Sequence, residues 1–278
     1  MNNKNVFLNE KVAKKLFKSE VYGKILSAKV ISDVIEADYD YVYNNIKLST
    51  DEISFSSKTL NSTVDAIYYD DIHYFNIEIN FYRSPNKKRQ IDSYTYQLYL
   101  GQLHNHKDYP KLKKIVQISI DSYDYFNKNE FIYHVYFMEE KTHQKESDDI
   151  TKIHINLAYL QKIDYTNIEI SGNKLMKDLY FLTCGDNKKL DMIYEGDNLM
   201  EEIIKEAKEI AGTMELDLYA TDEELRQMDQ EEYYQKGVAE TKKEMVINLH
   251  KNGVSIDIIS KSANLTTDEI QQIIKEII

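Results

Sequence analysis

Residues 75–81 alternate strictly: Phe75, Ile77, Ile79 and Phe81 are apolar, and Asn76, Glu78 and Asn80 between them are polar. A period of two commits this stretch to a strand with one buried face. Thr63 to Tyr69, just before it, is rich in β-formers and reads as a strand too. Asp70 and Asp71 lie in the short turn between them, so 63–81 is expected to be a β-hairpin.

Register decides what this hairpin can do. With Asp70 and Asp71 as the two loop residues, Tyr69 faces Ile72 and Asp65 faces Asn76. Asp65, Asn76, Glu78 and Asn80 then share a face, with Asp65 and Glu78 as diagonal neighbours roughly 7–8 Å apart at the backbone. Two carboxylates at that spacing can share a hard divalent cation. A slip of one residue would put them on opposite faces. A solvated polar face on an acidic protein gives the same alternation without any cation.

The chain has 278 residues, enough for one sizeable domain plus an appendage. Its 2 prolines and 8 glycines argue against long disordered linkers. The bias toward Asn, Lys, Ile and Tyr fits an A+T-rich bacterial coding sequence. One cysteine, Cys184, excludes an intrachain disulfide and fits a reducing cytoplasm; its apolar neighbours point to a buried, inert thiol. No apolar run approaches the ~18–20 residues of a membrane span, and Met1-Asn-Asn-Lys-Asn5 lacks the apolar region of a secretory signal. A cytoplasmic protein with no membrane partner is expected. The net charge of −12 runs against a nucleic-acid-binding surface as a whole. Lys87-Lys88-Arg89 and Lys111-x-Lys113-Lys114 are local basic exceptions.

Residues 9–32 carry an apolar stripe at helical period and read as one helix that includes Glu20. Tyr39–Ile46 fits a short helix or a strand. After the hairpin, Ser84 is placed to cap a helix over 86–104 with Pro85 at its first position. Backbone N–H groups and Arg83, Lys87, Lys88 and Arg89 at that end suit a phosphate. Lys114–Asp121, Phe131–Glu139 and 151–157 read as strands. From 173 onward the pattern is helical, over 173–183, 187–195, 197–211 and 216–248, the last dense in charge and a source of self-association. Three short helices close the chain, the first ending at Gly253 and the third capped by Thr266 or Thr267. Three short helices in succession resemble a small helical DNA-binding or docking module; the third, with one Lys and no Arg, carries less positive charge than a groove-reading helix, which favours packing or oligomerisation. No Gly-rich phosphate loop occurs, and the histidines show no metal spacing.

Val64-Asp65-Ala66-Ile67, Asn76-Ile-Glu78-Ile-Asn80, Arg89 with Tyr96-Gln97, Lys113–Ile120 and Leu157-Ala-Tyr-Leu-Gln-Lys162 follow one another in that order. In order and spacing, over roughly residues 10–260, they resemble the recombination-promoting nuclease family, also described as PD-(D/E)xK nuclease family transposases. The resemblance implies an α/β fold: a PD-(D/E)xK restriction-endonuclease-like core, a mixed sheet flanked by helices, over 1–170. A helical extension over 171–240 and a three-helix module over 241–278 would follow. It implies a Mg²⁺- or Mn²⁺-dependent DNA endonuclease associated with mobile elements or recombination. Asp65 and Glu78 would bind the metal with the carbonyl of Ile79, and Asn80 would orient water or phosphate. Lys87, Lys88 and Arg89 would contact DNA, with Glu20, Tyr96 and Gln97 as accessory groups. Two departures stand out: Val64 replaces the Pro of the motif, and Asn80 replaces its Lys and brings no charge. The alternative is a catalytically inactive nuclease fold used for binding or assembly.

Overall fold

The computed structural model describes residues 9–49, 65–84, 86–103, 106–163, 172–213 and 241–275. The chain divides into two compact units, Met1–Leu218 and Tyr219–Ile278. Thr63, Val64, Pro85, His104 and most of the expected helix over 216–248 lie outside the described residues.

In the first unit the strands are β1 (Lys47–Leu48), β2 (Ala66–Tyr69), β3 (His73–Asn80), β4 (Lys114–Asp121), β5 (Ile132–Val135) and β6 (Ile150–Asn156). They form one mixed sheet ordered β1-β2-β3-β4-β6-β5. β3, β4 and β6 are parallel, and the other neighbours pair antiparallel. This is the expected mixed sheet.

The hairpin forms with a different turn. Tyr69 pairs with Tyr74, not with Ile72. The Asp70 carboxylate accepts from the backbone N–H groups of Ile72 at 2.7 Å and His73 at 2.5 Å, and Asp70 N–H donates to the His73 carbonyl. An Asp that folds the chain back through its own side chain widens the loop. The register moves by two residues and each side chain keeps its face.

Helices α1 (Glu10–Phe17) and α2 (Tyr22–Val34) occupy the stretch expected to be one helix. Asn9 caps α1, its side chain accepting from Lys11 N–H at 2.9 Å and Val12 N–H at 3.3 Å. The break follows Phe17. Ser19 Oγ accepts from Gly23 N–H at 2.8 Å, giving α2 its own start. A Cβ on Gly23 would sit 2.6 Å from the Leu16 carbonyl oxygen and 2.7 Å from that of Phe17, so the close approach needs glycine. The apolar stripe runs through the break, which is why periodicity does not reveal it.

α2 is buried nearly all round and forms the centre of the helical layer. α3 (Tyr39–Asn45), capped by Asp38, packs on it. α4 (Lys87–Leu100) lies on the other side of the sheet. α5 (Leu157–Leu160), α6 (Lys174–Tyr180), α7 (Asn187–Ile193) and α8 (Asn198–Thr213) follow. Phe75, Ile77, Ile79, Ile118, Ile120, Ile153 and Ile155 on one face of the sheet join Leu16, Phe17, Leu26, Leu179, Phe181, Met200 and Ile203 in one core. Each such side chain contributes roughly 1.5–3 kcal/mol by leaving water. Cys184 is buried there as a free thiol.

The second unit contains a helix over 241–251, α9 (Ile256–Ala263) and α10 (Thr267–Lys275) around Val246, Ile259, Ala263 and Ile270. Gly253 at φ 75° and Asn264 at φ 51° turn the chain in the left-handed region. Thr266 Oγ1 accepts from Glu269 N–H at 3.3 Å while Glu269 Oε2 accepts from Thr266 N–H at 2.7 Å, a reciprocal cap on α10.

Candidate functional site

Continuing the β2–β3 register one step beyond Ala66–Ile77 sets Asp65 opposite Glu78. The expected diagonal pair is therefore a directly opposed one. Both carboxyl groups are buried. Asp65 Oδ2 accepts from Ile79 N–H at 2.8 Å, and Asp65 Oδ1 is 3.1 Å from the Lys14 ammonium. Lys14 also reaches Glu10 at 2.5 Å, one helical turn earlier on α1. Glu10 Oε2 accepts from Phe81 N–H at 2.9 Å, which ties α1 to the end of β3. Glu78 Oε1 is buried with no hydrogen-bond partner among the described residues.

The electrostatics follow. Burial, and then the Asp65 charge, push the Glu78 carboxyl up to about 8, against the pull of Lys87 and Lys14. Burial also raises Asp65, opposed by Lys14 and the Ile79 N–H. Burial disfavours the Lys14 ammonium, but Asp65 and Glu10 outweigh it and hold that proton well above the ordinary lysine range.

The polar face of the sheet continues from Glu78 across the parallel strands. Asn76, Gln117 and Lys152 are in register, as are Glu78, Ser119 and His154, and Asn80, Asp121 and Asn156. Asn76 Nδ2 donates to Gln117 Oε1 at 2.6 Å, and Thr95 of α4 donates to the same oxygen at 3.1 Å. Asn80 Nδ2 donates to Asp121 Oδ1 at 2.8 Å, and His154 Nδ1 lies 2.8 Å from Asp121 Oδ2. Asn80 Oδ1 stays buried without a partner among the described residues. Asn80 is thus one end of a chain through Asp121 to His154.

A cleft of about 260 Å³ is lined by Arg83, Ser84, Lys87, Lys88, Tyr123 and Tyr125. It adjoins the carboxylates: Lys87 acts on Glu78, and Tyr123 feels Asp121 and Glu10. Of the three cations expected to contact DNA, Lys87 and Lys88 line this cleft. Arg89 is exposed outside it, and Arg83 takes its place. Glu20 is exposed in the turn between α1 and α2; Glu10 is the α1 carboxylate beside Asp65. Tyr96 is exposed next to Lys152, and Gln97 bonds Ser93 and lines a separate cavity near Lys113. Neither Tyr96 nor Gln97 lines the cleft.

Sequence reasoning missed Glu10, Lys14, Asp121, His154, Tyr123 and Tyr125. Glu10 and Lys14 stand four apart, the spacing of an ordinary exposed helical pair, and only the packing of α1 half-buries them beside Asp65. Asp121 was legible as the last residue of an alternating strand.

Two opposed, buried carboxylates with one orphaned oxygen are hard donors of the kind that suit a hard divalent cation. Among the described residues no group of three or more His, Cys, Asp or Glu side chains is placed to hold a metal ion, and Lys14 already neutralises one carboxylate. Among the same residues no helix is long and apolar enough to cross a membrane.

Comparison with curated proteins gives no match, and comparison with solved structures gives none. The family described as PD-(D/E)XK nuclease family transposase matches residues 9–237, which takes in α1, the whole sheet and the helices that cover it. Over that span, this chain belongs to the PD-(D/E)XK nuclease family transposases.

Proposed function

We propose that this chain is a metal-dependent DNA endonuclease that hydrolyses phosphodiester bonds at the Asp65–Glu78 pair, in the setting of mobile elements or recombination. The observation that carries this reading is the buried pair with its orphaned Glu78 oxygen, set beside a cleft of three cations. Asp65 and Glu78 would hold Mg²⁺ or Mn²⁺ through oxygen. A divalent cation there supplies Lewis acidity toward the scissile phosphate.

The chain's own residues do the rest. Arg83, Lys87 and Lys88 bind backbone phosphates and offset the acidic net charge locally. Lys14 keeps beside Asp65 a positive charge that position 80 does not have. Asn80, held by Asp121, offers Oδ1 as an acceptor that orients a water. Glu78, held protonated near neutral pH, must release its proton before it can ligate a cation.

The Lys14–Asp65 ion pair also favours a second reading: a catalytically inactive nuclease fold retained for binding or assembly, with self-association through the C-terminal helices. Cleavage of plasmid DNA by purified protein with Mg²⁺ or Mn²⁺, beside Asp65→Ala and Glu78→Ala, separates the two. Cleavage that both substitutions abolish supports the endonuclease. No cleavage, or cleavage that survives both, supports the inactive fold.

A further inference from the structure

The cleft beside the carboxylates is more than a basic patch. Two of its walls are aromatic, Tyr123 and Tyr125, with ring centroids 6.4 Å apart. Tyr125 stacks on His154 at 4.1 Å and meets the edge of Phe126 at 5.0 Å. Phe126 in turn packs on His154 and Tyr133. The loop carrying these rings is fixed to the strand of the acidic pair. Ser122 N–H donates to the Asn80 carbonyl at 2.9 Å, and Ser122 Oγ to the Phe81 carbonyl at 2.7 Å. Asp124 holds the far side of the loop, accepting from Asn129 N–H at 2.6 Å and the Tyr133 hydroxyl at 2.7 Å. Tyr123 Oη is buried with no hydrogen-bond partner among the described residues.

We infer that this cleft takes a nucleotide of DNA that is unpaired from its complement, with its phosphate on Arg83, Lys87 and Lys88 and its base against Tyr125. The inference rests on the endonuclease reading and names the substrate of the same site. In a paired duplex the faces of the bases are stacked on one another, so an aromatic ring in a cleft meets a base only after it is splayed out. Cations alone would suit duplex and single strand alike. A fixed aromatic wall among those cations combines the two elements of single-strand recognition, backbone charge and base stacking. The favoured substrates are overhangs, flaps and frayed ends.

The test is binding without added metal, in EDTA, so that its outcome does not depend on cleavage. The probes are a blunt duplex and the same duplex with a short single-stranded overhang, each with 2-aminopurine at the position where the overhang begins. The wild-type protein should bind the overhang duplex about 5- to 150-fold more tightly, the range that one base–aromatic stack supplies, and quench its 2-aminopurine. Tyr125→Phe should keep both effects. Tyr125→Leu, which retains an apolar contact to His154, should lose both. Equal affinity for the two duplexes, binding to neither, or quenching that survives Tyr125→Leu overturns the inference. Cleavage of both duplexes at equal rates with Mg²⁺ added, without quenching, would leave the endonuclease reading standing and this one not. Quenching without cleavage would do the reverse.

Discussion

Lys14 is ion-paired to Asp65 at 3.1 Å, while Glu78, opposite Asp65 across the hairpin, keeps a carboxyl oxygen with no partner among the described residues. One carboxylate of the pair is neutralised by a residue of α1 and the other by a proton. Any divalent cation that enters must compete with both.

Lys14→Met tests the first competition. It removes the ammonium that offsets Asp65 and Glu10 and leaves two carboxylates close together. Breaking a buried pair costs about 3–5 kcal/mol, and the Lys14 side chain, at 30% exposure, should lose less, about 1–3 kcal/mol. Thermal melting in EDTA should therefore show a lower Tm for Lys14→Met than for wild type. Mg²⁺ or Mn²⁺ should then raise the Tm of the variant more than that of the wild type. An equal rise in both proteins would mean that Lys14 and the cation do not share a site.

Glu78 tests the second competition through pH. Its folded-state carboxyl titrates at about 8, above its ordinary value of 4.5. Between those values the native state holds a proton that the unfolded chain has lost, so stability falls as pH rises through the window. The metal-free wild type should melt at a lower temperature at pH 8 than at pH 5.5, by at least ~2–4 °C. Glu78→Gln cannot lose that proton and should flatten this part of the profile. A profile unchanged by Glu78→Gln would assign the slope to another group.

How much of this was legible in the sequence depends on whether the signal is local. The strands β3, β4 and β6 were legible because each alternates or is β-rich on its own; that they join in one mixed sheet came from the family resemblance and not from the strand patterns. Placing Asp65 and Glu78 on one face was legible for the same reason, since a two-residue error in register preserves faces. The turn was misread because the Asp70 carboxylate bonds Ile72 and His73, a side-chain geometry that composition does not reveal. The cleft was half legible. Lys87 and Lys88 stand in an evident basic run, but Tyr123 and Tyr125 sit in a loop that read only as turn-rich. Glu10 and Lys14 were not legible, because their roles come from where α1 docks and not from their spacing.

The docking of α1 can be tested at Gly23. A Cβ there would press on the Leu16 and Phe17 carbonyls at 2.6 and 2.7 Å, both backbone atoms that cannot rotate aside. Gly23→Ala should destabilise the protein by about 1–3 kcal/mol, although alanine is the better helix former. Urea unfolding should show a lower midpoint. Because α1 carries Glu10 and Lys14, any cleavage activity should fall along with it. A variant as stable as wild type would mean that α1 and α2 separate easily and that α1 does not fix the geometry of the site.

The helical layer holds a second internal ion pair, independent of the carboxylate site. Lys29 of α2 lies 2.9 Å from Asp178 of α6, and both side chains are buried. Burial raises the Asp178 carboxyl, and Lys29 opposes the shift. Asp178 Oδ2 and the nearby Asp33 Oδ2 are buried without hydrogen-bond partners among the described residues, so the cluster has more acceptors than Lys29 satisfies. Lys29→Met alone removes the ammonium bonded to Asp178, leaving only the weaker field of Lys174, and should cost about 3–5 kcal/mol. Lys29→Met with Asp178→Leu replaces both charges by apolar groups and should recover most of that loss, since the pair's desolvation offsets much of its attraction. Urea denaturation of the two single variants and the double variant gives the coupling between them directly. Additive losses would show that Lys29 and Asp178 act separately, with the α2–α6 contact held by its apolar neighbours alone.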